Sequence, residues 1–336
     1  MHEYGIVIGR FQPFHNAHLE LVNFALKQAK QLIIVLGSAG QAPDTMNPWS
    51  APERAVMIRK CFSEEENARI EFVHAKDQQS NMMWIASVQS AIDHLTQGSD
   101  DIKLIGHKKD ATSFYLKFFP QWGDYIETGF SVNLDATKVR ENLFRQDKIS
   151  IKTLVPAPVY EHLCEWMGTP EFQRLHDEFQ EISNDKAAWD GSPYVPIFMT
   201  TDAVVICSGH VLVVRRRGKY GKGLIAWPGG YVNANEFLLD SCIRELKEET
   251  GIRVPADELK KYVVDKDLFD NPKRDLRGRL ITQAYCIKLP DGSLPKVKGM
   301  DDADKAWWMT VNDFHVNESR FFADHYKIGC RFINRF

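Results

Sequence analysis

Apolar residues recur along this chain in two rhythms, and their alternation predicts the architecture. Residues 5–9 (GIVIG) are a short apolar run closed by glycine, the pattern of a strand buried on both faces of a parallel sheet. Leu19, Leu21, Val22, Phe24, Ala25 and Leu26 follow at helical spacing. The succession repeats, with strands over 32–36, 70–73 and 102–106, a short one over 125–127, and helices over 52–62, 82–95 and 135–144. Pro52 suits a first helical turn. Such strand–helix alternation predicts an α/β fold, a doubly wound Rossmann-like sheet.

From Pro156 the rhythm changes. Helices are expected over 160–167 and 171–182, and the polar clusters 183–186 and 190–193 read as a linker. Apolar runs at 203–207 and 211–215 flank Ser208-Gly209-His210, a hairpin signal. Residues 224–228 lead as a strand into Gly229-Gly230, with more strands over 262–264, 281–287 and 306–309 and a last helix over 318–326. The organisation expected is a first domain over 1–183, a linker over 184–193 and a second domain over 194–336. At 336 residues each half has room for its own core.

Composition narrows the setting. Hydrophobic content of 44%, charged content of 26% and a net charge of −3 are those of a soluble globular protein without a nucleic-acid-binding or polybasic membrane face. No apolar run reaches membrane-spanning length, and no signal peptide opens the chain. The six cysteines are scattered without a CxxC pair and read as free thiols of a reducing cytoplasm. The composition is compatible with a homo-oligomer.

Two stretches carry chemistry. The first follows the strand at 5–9: Arg10-Phe11-Gln12-Pro13-Phe14-His15-Asn16-Ala17-His18. It puts two histidines and an arginine at a helix entrance, where unpaired N–H groups and the dipole already favour an anion. Thr137 and Arg140, one turn apart behind a capping Asp135, can grip phosphate oxygens, Arg140 in bidentate fashion. The second stretch is 230–252, GYVNANEFLLDSCIRELKEETGI. Run as a helix from about Glu236, it places Glu245, Glu248 and Glu249 on one face, where like charges repel unless a divalent cation such as Mg²⁺ or Mn²⁺ binds them. Val232, Leu239, Ile243 and Leu246 supply the buried side, and Gly251 ends the helix.

The second stretch matches every fixed position of GX5EX7REUXEEXGU and so resembles the Nudix hydrolases. The first, GRFQPFHNAH, is similar to the signature of nucleotidylyltransferases with a (T/H)xGH motif, and within them to the archaeal-type nicotinamide mononucleotide adenylyltransferases. Residues 47–54, the pair Asn81 and Trp84 after Asp77, and the pair Thr137 and Arg140 agree with that family. The resemblance implies that His15, His18 and Arg140 hold the ATP phosphates, with Gly9, Arg10, Phe11, Arg54 and Thr137 around the nucleotides. It further implies that Asn81 and Trp84 recognise nicotinamide, although Trp84 also fits a core aromatic position. Ala17 and Asp135 stand where the family usually has glycine and serine, and altered kinetics rather than loss are expected.

For the second half the resemblance implies a Nudix α/β/α sandwich. Glu245, Glu248 and Glu249 would be metal ligands, the Gly229 carbonyl a further candidate, and Arg244 and Glu236 supporting residues. Asp302, in the acidic loop 301–304, is the candidate general base. The segment 274–279 (RDLRGR) after Phe269 resembles that of Nudix proteins acting on ADP-ribose, which points to Phe269, Arg274 and Arg277. A basic hairpin fits the same residues. The partners expected are small nucleotides: ATP, nicotinamide mononucleotide, NAD and ADP-ribose. The same folds acting on other nucleotides, and a Nudix domain that senses a ligand without catalysis, stand as alternatives; the intact box carboxylates argue against the latter.

Overall fold

A computed structural model describes residues 1–78, 80–108, 115–129 and 135–335, and its contacts divide the chain into two units, Met1–Leu175 and His176–Phe336. The first unit begins with β1 (His2–Gly9), α1 (Asn16–Gln28), β2 (Ala29–Ala39), α2 (Ala51–Arg59), α3 (Glu64–Asn67) and β3 (Ile70–Lys76). It continues with α4 (Asn81–Thr96), β4 (Ile102–Gly106), β5 (Ile126–Glu127), α5 (Ala136–Phe144), α6 (Lys148–Leu154) and α7 (Ala157–Trp166). The five strands pair in parallel in the order β3-β2-β1-β4-β5. Ile6, Ile8, Ile33, Val35, Val73 and Ala75 form a core with Val88 and Ile92 of α4, while Val7 and Ile34, pointing the other way, are equally buried. Burial on both faces explains why these strands are apolar throughout.

Local signals set the helix starts. The Ser50 hydroxyl accepts from the Glu53 N–H and the Glu53 carboxylate accepts from the Ser50 N–H, a reciprocal box that opens α2. Helix α6, which the apolar rhythm did not signal, starts at the Asp147 cap. Helix α8 (Pro170–Ala188) departs from expectation, because it runs straight through 184–188, the first half of the expected linker. The border between units falls within this helix, after Leu175. Residues 183–186 have turn composition, yet Ser183 donates to the Phe179 carbonyl (2.8 Å) and Asp185 accepts from Tyr220, so these polar groups are satisfied in a helix.

The second unit contains β6 (Ile197–Cys207), β7 (His210–Arg216), β8 (Ile225–Ala226), β9 (Gly229–Tyr231), α9 (Leu238–Thr250) and α10 (Ala256–Lys261). After them come β10 (Val263–Phe269), β11 (Arg279–Lys288), β12 (Ala303–Thr310), α11 (Val311–Val316) and α12 (His325–Ile333). The sheet order is β10-β11-β6-β7-β12, with β8 on β7 and β9 on β6. Only β6 and β11 of these pairs run parallel, so the sheet is mixed. Ala203, Val205, Leu212 and Tyr285 pack on Cys242, Ile243 and Leu246 of α9. Their neighbours Val204, Val211, Val213 and Cys286 pack instead on Phe314 of α11 and Ile328 and Phe332 of α12. The period-two alternation thus faces a helical layer on each side, an α/β/α sandwich.

The last helix is interrupted where 318–326 was expected to be continuous. A 3₁₀ turn at Glu318–Arg320 ends before Phe321 and Phe322, and α12 begins at His325. Both phenylalanines are buried, and the Phe322 N–H donates to the Ile225 carbonyl (2.8 Å), so core packing and strand-like pairing at β8 override helix propensity.

His325 anchors α12. Its Nδ1 accepts from the Trp227 N–H (3.0 Å) and its carbonyl from the Trp227 indole (2.7 Å). Burial holds the imidazole down to about 3, with Arg216 and Arg274 acting the same way against the raising effect of Asp324. The folded state therefore refuses a proton that the unfolded chain binds below its ordinary value of about 6.5. This contribution is complete above that pH and is lost as the pH falls toward 3, a change on the order of a few kcal/mol. Denaturant midpoints followed from pH 7 to 4 should fall less steeply in His325→Gln than in wild type. Equal slopes would contradict the assignment.

Two candidate active sites

In the first unit the strand order reverses at β1, because β2 and β3 lie on one side and β4 and β5 on the other. Chain connections leave the sheet in opposite directions there, which opens a crevice at the carboxyl ends of β1 and β4. The loop after β1 lies at this crevice. The His15 and His18 rings stack with centroids 3.6 Å apart and planes inclined by 16°. Phe11 packs edge-on against His18 at 4.7 Å. A side chain at Gly9 would meet the Phe11 ring at 2.9 Å, so the close approach requires glycine. His15 is the residue preceding α1 and caps it with no side-chain hydrogen bond, so its imidazole is not spent on the first-turn N–H groups.

Arginines fix this loop from behind. Arg140, buried on α5, donates to the Gln12 carbonyl (2.6 Å) and to the Thr137 hydroxyl (3.2 Å). Arg54, fully buried on α2, donates to the carbonyls of Arg10, Gly37 (2.8 Å) and Ser50 (3.3 Å). One of its nitrogens, Nη2, is buried without a hydrogen-bond partner among the described residues. Burial first, then the neighbouring Arg10 charge, lowers both guanidinium groups to about 10. Both stay cationic at neutral pH and each is repelled by Arg10, a field that a polyphosphate relieves. Asp135 caps α5 by accepting from the Thr137 N–H (2.9 Å). Asn81 is exposed in the first turn of α4; Trp84, one turn on, is half-buried with its ring 6.0 Å from Phe119.

In the second unit β9 and α9 bring the box together. The buried Glu249 accepts from the Gly229 N–H (3.0 Å). Burial pushes its carboxyl up to about 8, aided by the nearby Glu245 and Asp202 charges and opposed by the Gly229 N–H and Arg216. Glu245 is likewise raised, first by burial, against its bond to Arg244. A side chain at Gly230 would meet the Glu245 carboxylate at 2.6 Å, which is why this position is glycine. Arg244 organises the rest. It grips Glu236 through two nitrogens (2.6 and 3.0 Å), Glu245 at 2.7 Å and Glu248 at 2.9 Å. Glu236 also accepts from the Asn233 N–H (2.8 Å), and its bond to Arg244 holds its carboxyl down to about 2. That turn delays the helix, which starts at Leu238 rather than at Glu236.

The donor set suits a hard divalent cation. Among the described residues no three acidic, histidine or cysteine side chains stand as an assembled metal cluster, since Arg244 holds oxygens of Glu245 and Glu248. Yet Glu245, Glu248 and Glu249, spaced along one side of α9, offer oxygen donors only. The upward shifts of Glu245 and Glu249 mark a charge deficit that such an ion would offset.

The remaining candidates are dispersed by the structure. Arg274 is bound to Asp324 through two nitrogens (2.9 and 3.0 Å) on a buried face. Phe269 packs at the edge of the core on the α12 side, 6.4 Å from the Phe332 ring. Arg277 is held by Asp275 (2.6 and 2.9 Å) with Tyr220 and Tyr231 rings at 5.1 and 5.6 Å. Asp302 is exposed, and its carbonyl accepts from the Arg217 N–H (2.9 Å). Its neighbour Asp301 adds to the negative surroundings that, after burial and Glu248, raise Glu245. Tyr220 and Tyr231 were not singled out from sequence, because their relation to Arg277 exists only after distant segments are brought together.

A family model described as cytidylyltransferase-like matches residues 6–142, and one described as a NUDIX domain matches residues 198–332. Fold and sites thus define a cytidylyltransferase-like domain followed by a NUDIX domain. The nicotinamide/nicotinic acid mononucleotide adenylyltransferase of Acinetobacter baylyi is 35% identical over 184 residues that cover 54% of this chain and 97% of that protein. The nicotinamide-nucleotide adenylyltransferase of Thermoplasma volcanium is 27% identical over 52% of this chain and 94% of its own length. A bifunctional NMN adenylyltransferase/ADP ribose pyrophosphatase from Francisella tularensis, crystallised with AMP and a Mn ion, superposes with a TM-score of 0.90 at 28% identity over 100% of this chain and 99% of that one. The chain belongs to the family of bifunctional NMN adenylyltransferase/ADP-ribose pyrophosphatases. No helix among the described residues is long and apolar enough to cross a membrane, and all six cysteines are unpaired.

Proposed function

We propose that the first unit transfers AMP from ATP to nicotinamide mononucleotide, giving NAD and pyrophosphate, and that the second hydrolyses ADP-ribose to AMP and ribose 5-phosphate. The observation that carries this reading is the presence, on one chain, of the His15–His18–Arg140 set at the sheet's switch point and of the complete box carboxylates around Gly230. In the transferase the mononucleotide 5′-phosphate attacks the α-phosphorus of ATP and pyrophosphate leaves. No covalent enzyme intermediate is needed, so placement and charge neutralisation supply the rate. His15, His18 and Arg140 hold the phosphates, Arg10 and Arg54 add positive field, and Asn81 and Trp84 receive the nicotinamide.

In the hydrolase Glu245, Glu248 and Glu249, with the Gly229 carbonyl, hold Mg²⁺ or Mn²⁺. Such an ion would offset the charge that develops on the pyrophosphate as water attacks. Arg244 and Glu236 keep the carboxylates in place, and Arg277 offers its Nη1 donor to the substrate while Asp275 takes Nε and Nη2. We assign proton removal from water to the acidic loop 301–304, which carries Asp301 and Asp302 and is tied to the box helix by the Met300 N–H donating to the Glu249 carbonyl (3.0 Å). The test is one preparation of the full chain assayed twice. ATP with nicotinamide mononucleotide should yield NAD and pyrophosphate, and ADP-ribose should yield AMP only when a divalent cation is present. Lack of either product would remove the corresponding half of the proposal.

A further inference from the structure

Helix α8 carries Glu178, Glu181 and Asp185 at spacings that place them on one face. An acidic face is ordinarily solvated, but each of these residues engages the loop 217–224 between β7 and β8. Glu178 accepts from the Gly221 N–H (3.3 Å), Glu181 from the Lys219 ammonium (2.8 Å) and Asp185 from the Tyr220 hydroxyl. The loop sequence RGKYGKGL is rich in glycine and lysine and has little apolar surface of its own with which to hold a shape. Gly221 and Gly223 adopt φ of +59° and +84°, and a side chain at Gly221 would strike Phe322 at 2.2 Å.

The central contact leads to the hydrolase site. The Tyr220 ring stands 5.1 Å from the Arg277 guanidinium, which Asp275 and Tyr231 hold from other directions. The loop also reaches the acidic segment beside the box, since the Arg217 N–H donates to the Asp302 carbonyl (2.9 Å) and its guanidinium to the Asp301 carbonyl. We infer that Asp185 and Tyr220 are positioning residues for the hydrolase reaction. The carboxylate of Asp185 fixes the Tyr220 hydroxyl, and the ring so fixed sets the face that Arg277 presents to a nucleoside diphosphate. This rests on the assignment of Arg277 to the substrate made above. A carboxylate–phenol hydrogen bond is charge-assisted and strong enough to set a side-chain orientation. A hydroxyl left without it in a partly buried place reorients the ring.

The test uses the full chain with ADP-ribose and Mg²⁺. Tyr220→Phe keeps the ring and loses the hydroxyl; Asp185→Asn keeps the size and loses the charge. Each should raise KM for ADP-ribose about tenfold with little change in kcat, the pattern of lost substrate binding rather than lost chemistry. The double variant should be no worse than either alone, because both remove one bond. Asp185→Glu should recover part of the affinity. Arg277→Ala separates the two ideas. If it leaves KM unchanged, the substrate role of Arg277 fails. If it raises KM while Tyr220→Phe and Asp185→Asn do not, the positioning role fails. Hydrogen exchange of the 217–224 amides gives a reading independent of substrate: faster exchange in Asp185→Asn is expected, and unchanged exchange overturns the inference.

Discussion

Glu249→Gln should abolish metal-dependent AMP release from ADP-ribose, by on the order of 10³-fold or more, and leave NAD formation unchanged. Glutamine keeps the shape but cannot supply the negative oxygen that a divalent cation needs. Its amide still offers a carbonyl oxygen to the Gly229 N–H now 3.0 Å from the Glu249 carboxylate, so the β9–α9 junction should survive. The loss would then be one of chemistry and not of folding, and replacing a buried carboxyl pushed up to about 8 should if anything ease folding at neutral pH. AMP release and NAD formation measured on the same preparation check this, since the transferase site lies in the other unit. Persistent AMP release would remove Glu249 from the ligand set.

The second large effect is expected in the transferase. His18→Ala should slow NAD formation by roughly 10²–10³-fold, the cost typical of removing one preorganised donor from a developing negative charge. The stacked geometry adds to the loss, because His18 is also the ring against which His15 rests at 3.6 Å and Phe11 at 4.7 Å. ADP-ribose hydrolysis should be unaffected. Pyrophosphate release under single-turnover conditions is the measurement, and a wild-type rate would sink the assignment of the signature loop to ATP.

Much of this was legible in the order of residues. Strands such as 5–9 and 32–36 declare themselves because a parallel sheet covered on both faces admits only apolar side chains. The Asp135 cap and the helix-ending Gly251 are local devices, and local devices are written locally. The spacing of Glu245, Glu248 and Glu249 predicts one face because helical geometry is fixed.

Other features depend on partners far away in the chain. Residues 184–188 have the composition of a linker, and only the Tyr220 hydroxyl, 35 residues beyond Asp185, gives that helix end a role. Arg274 and Arg277 look alike in sequence, but Asp324 claims the first on a buried face while Asp275, Tyr220 and Tyr231 frame the second. Phe321 and Phe322 break the last helix because the core takes both rings and Ile225 offers strand-like pairing. The doubly wound sheet, the phosphate loop and the carboxylate face could be read from residue order, since each follows from backbone periodicity and neighbouring residues, whereas the sandwich of the second half came from its resemblance to the Nudix hydrolases. Which charges are spent on one another and which face a ligand emerged in three dimensions, because pairing between distant charges depends on distance and burial, neither of which is encoded locally.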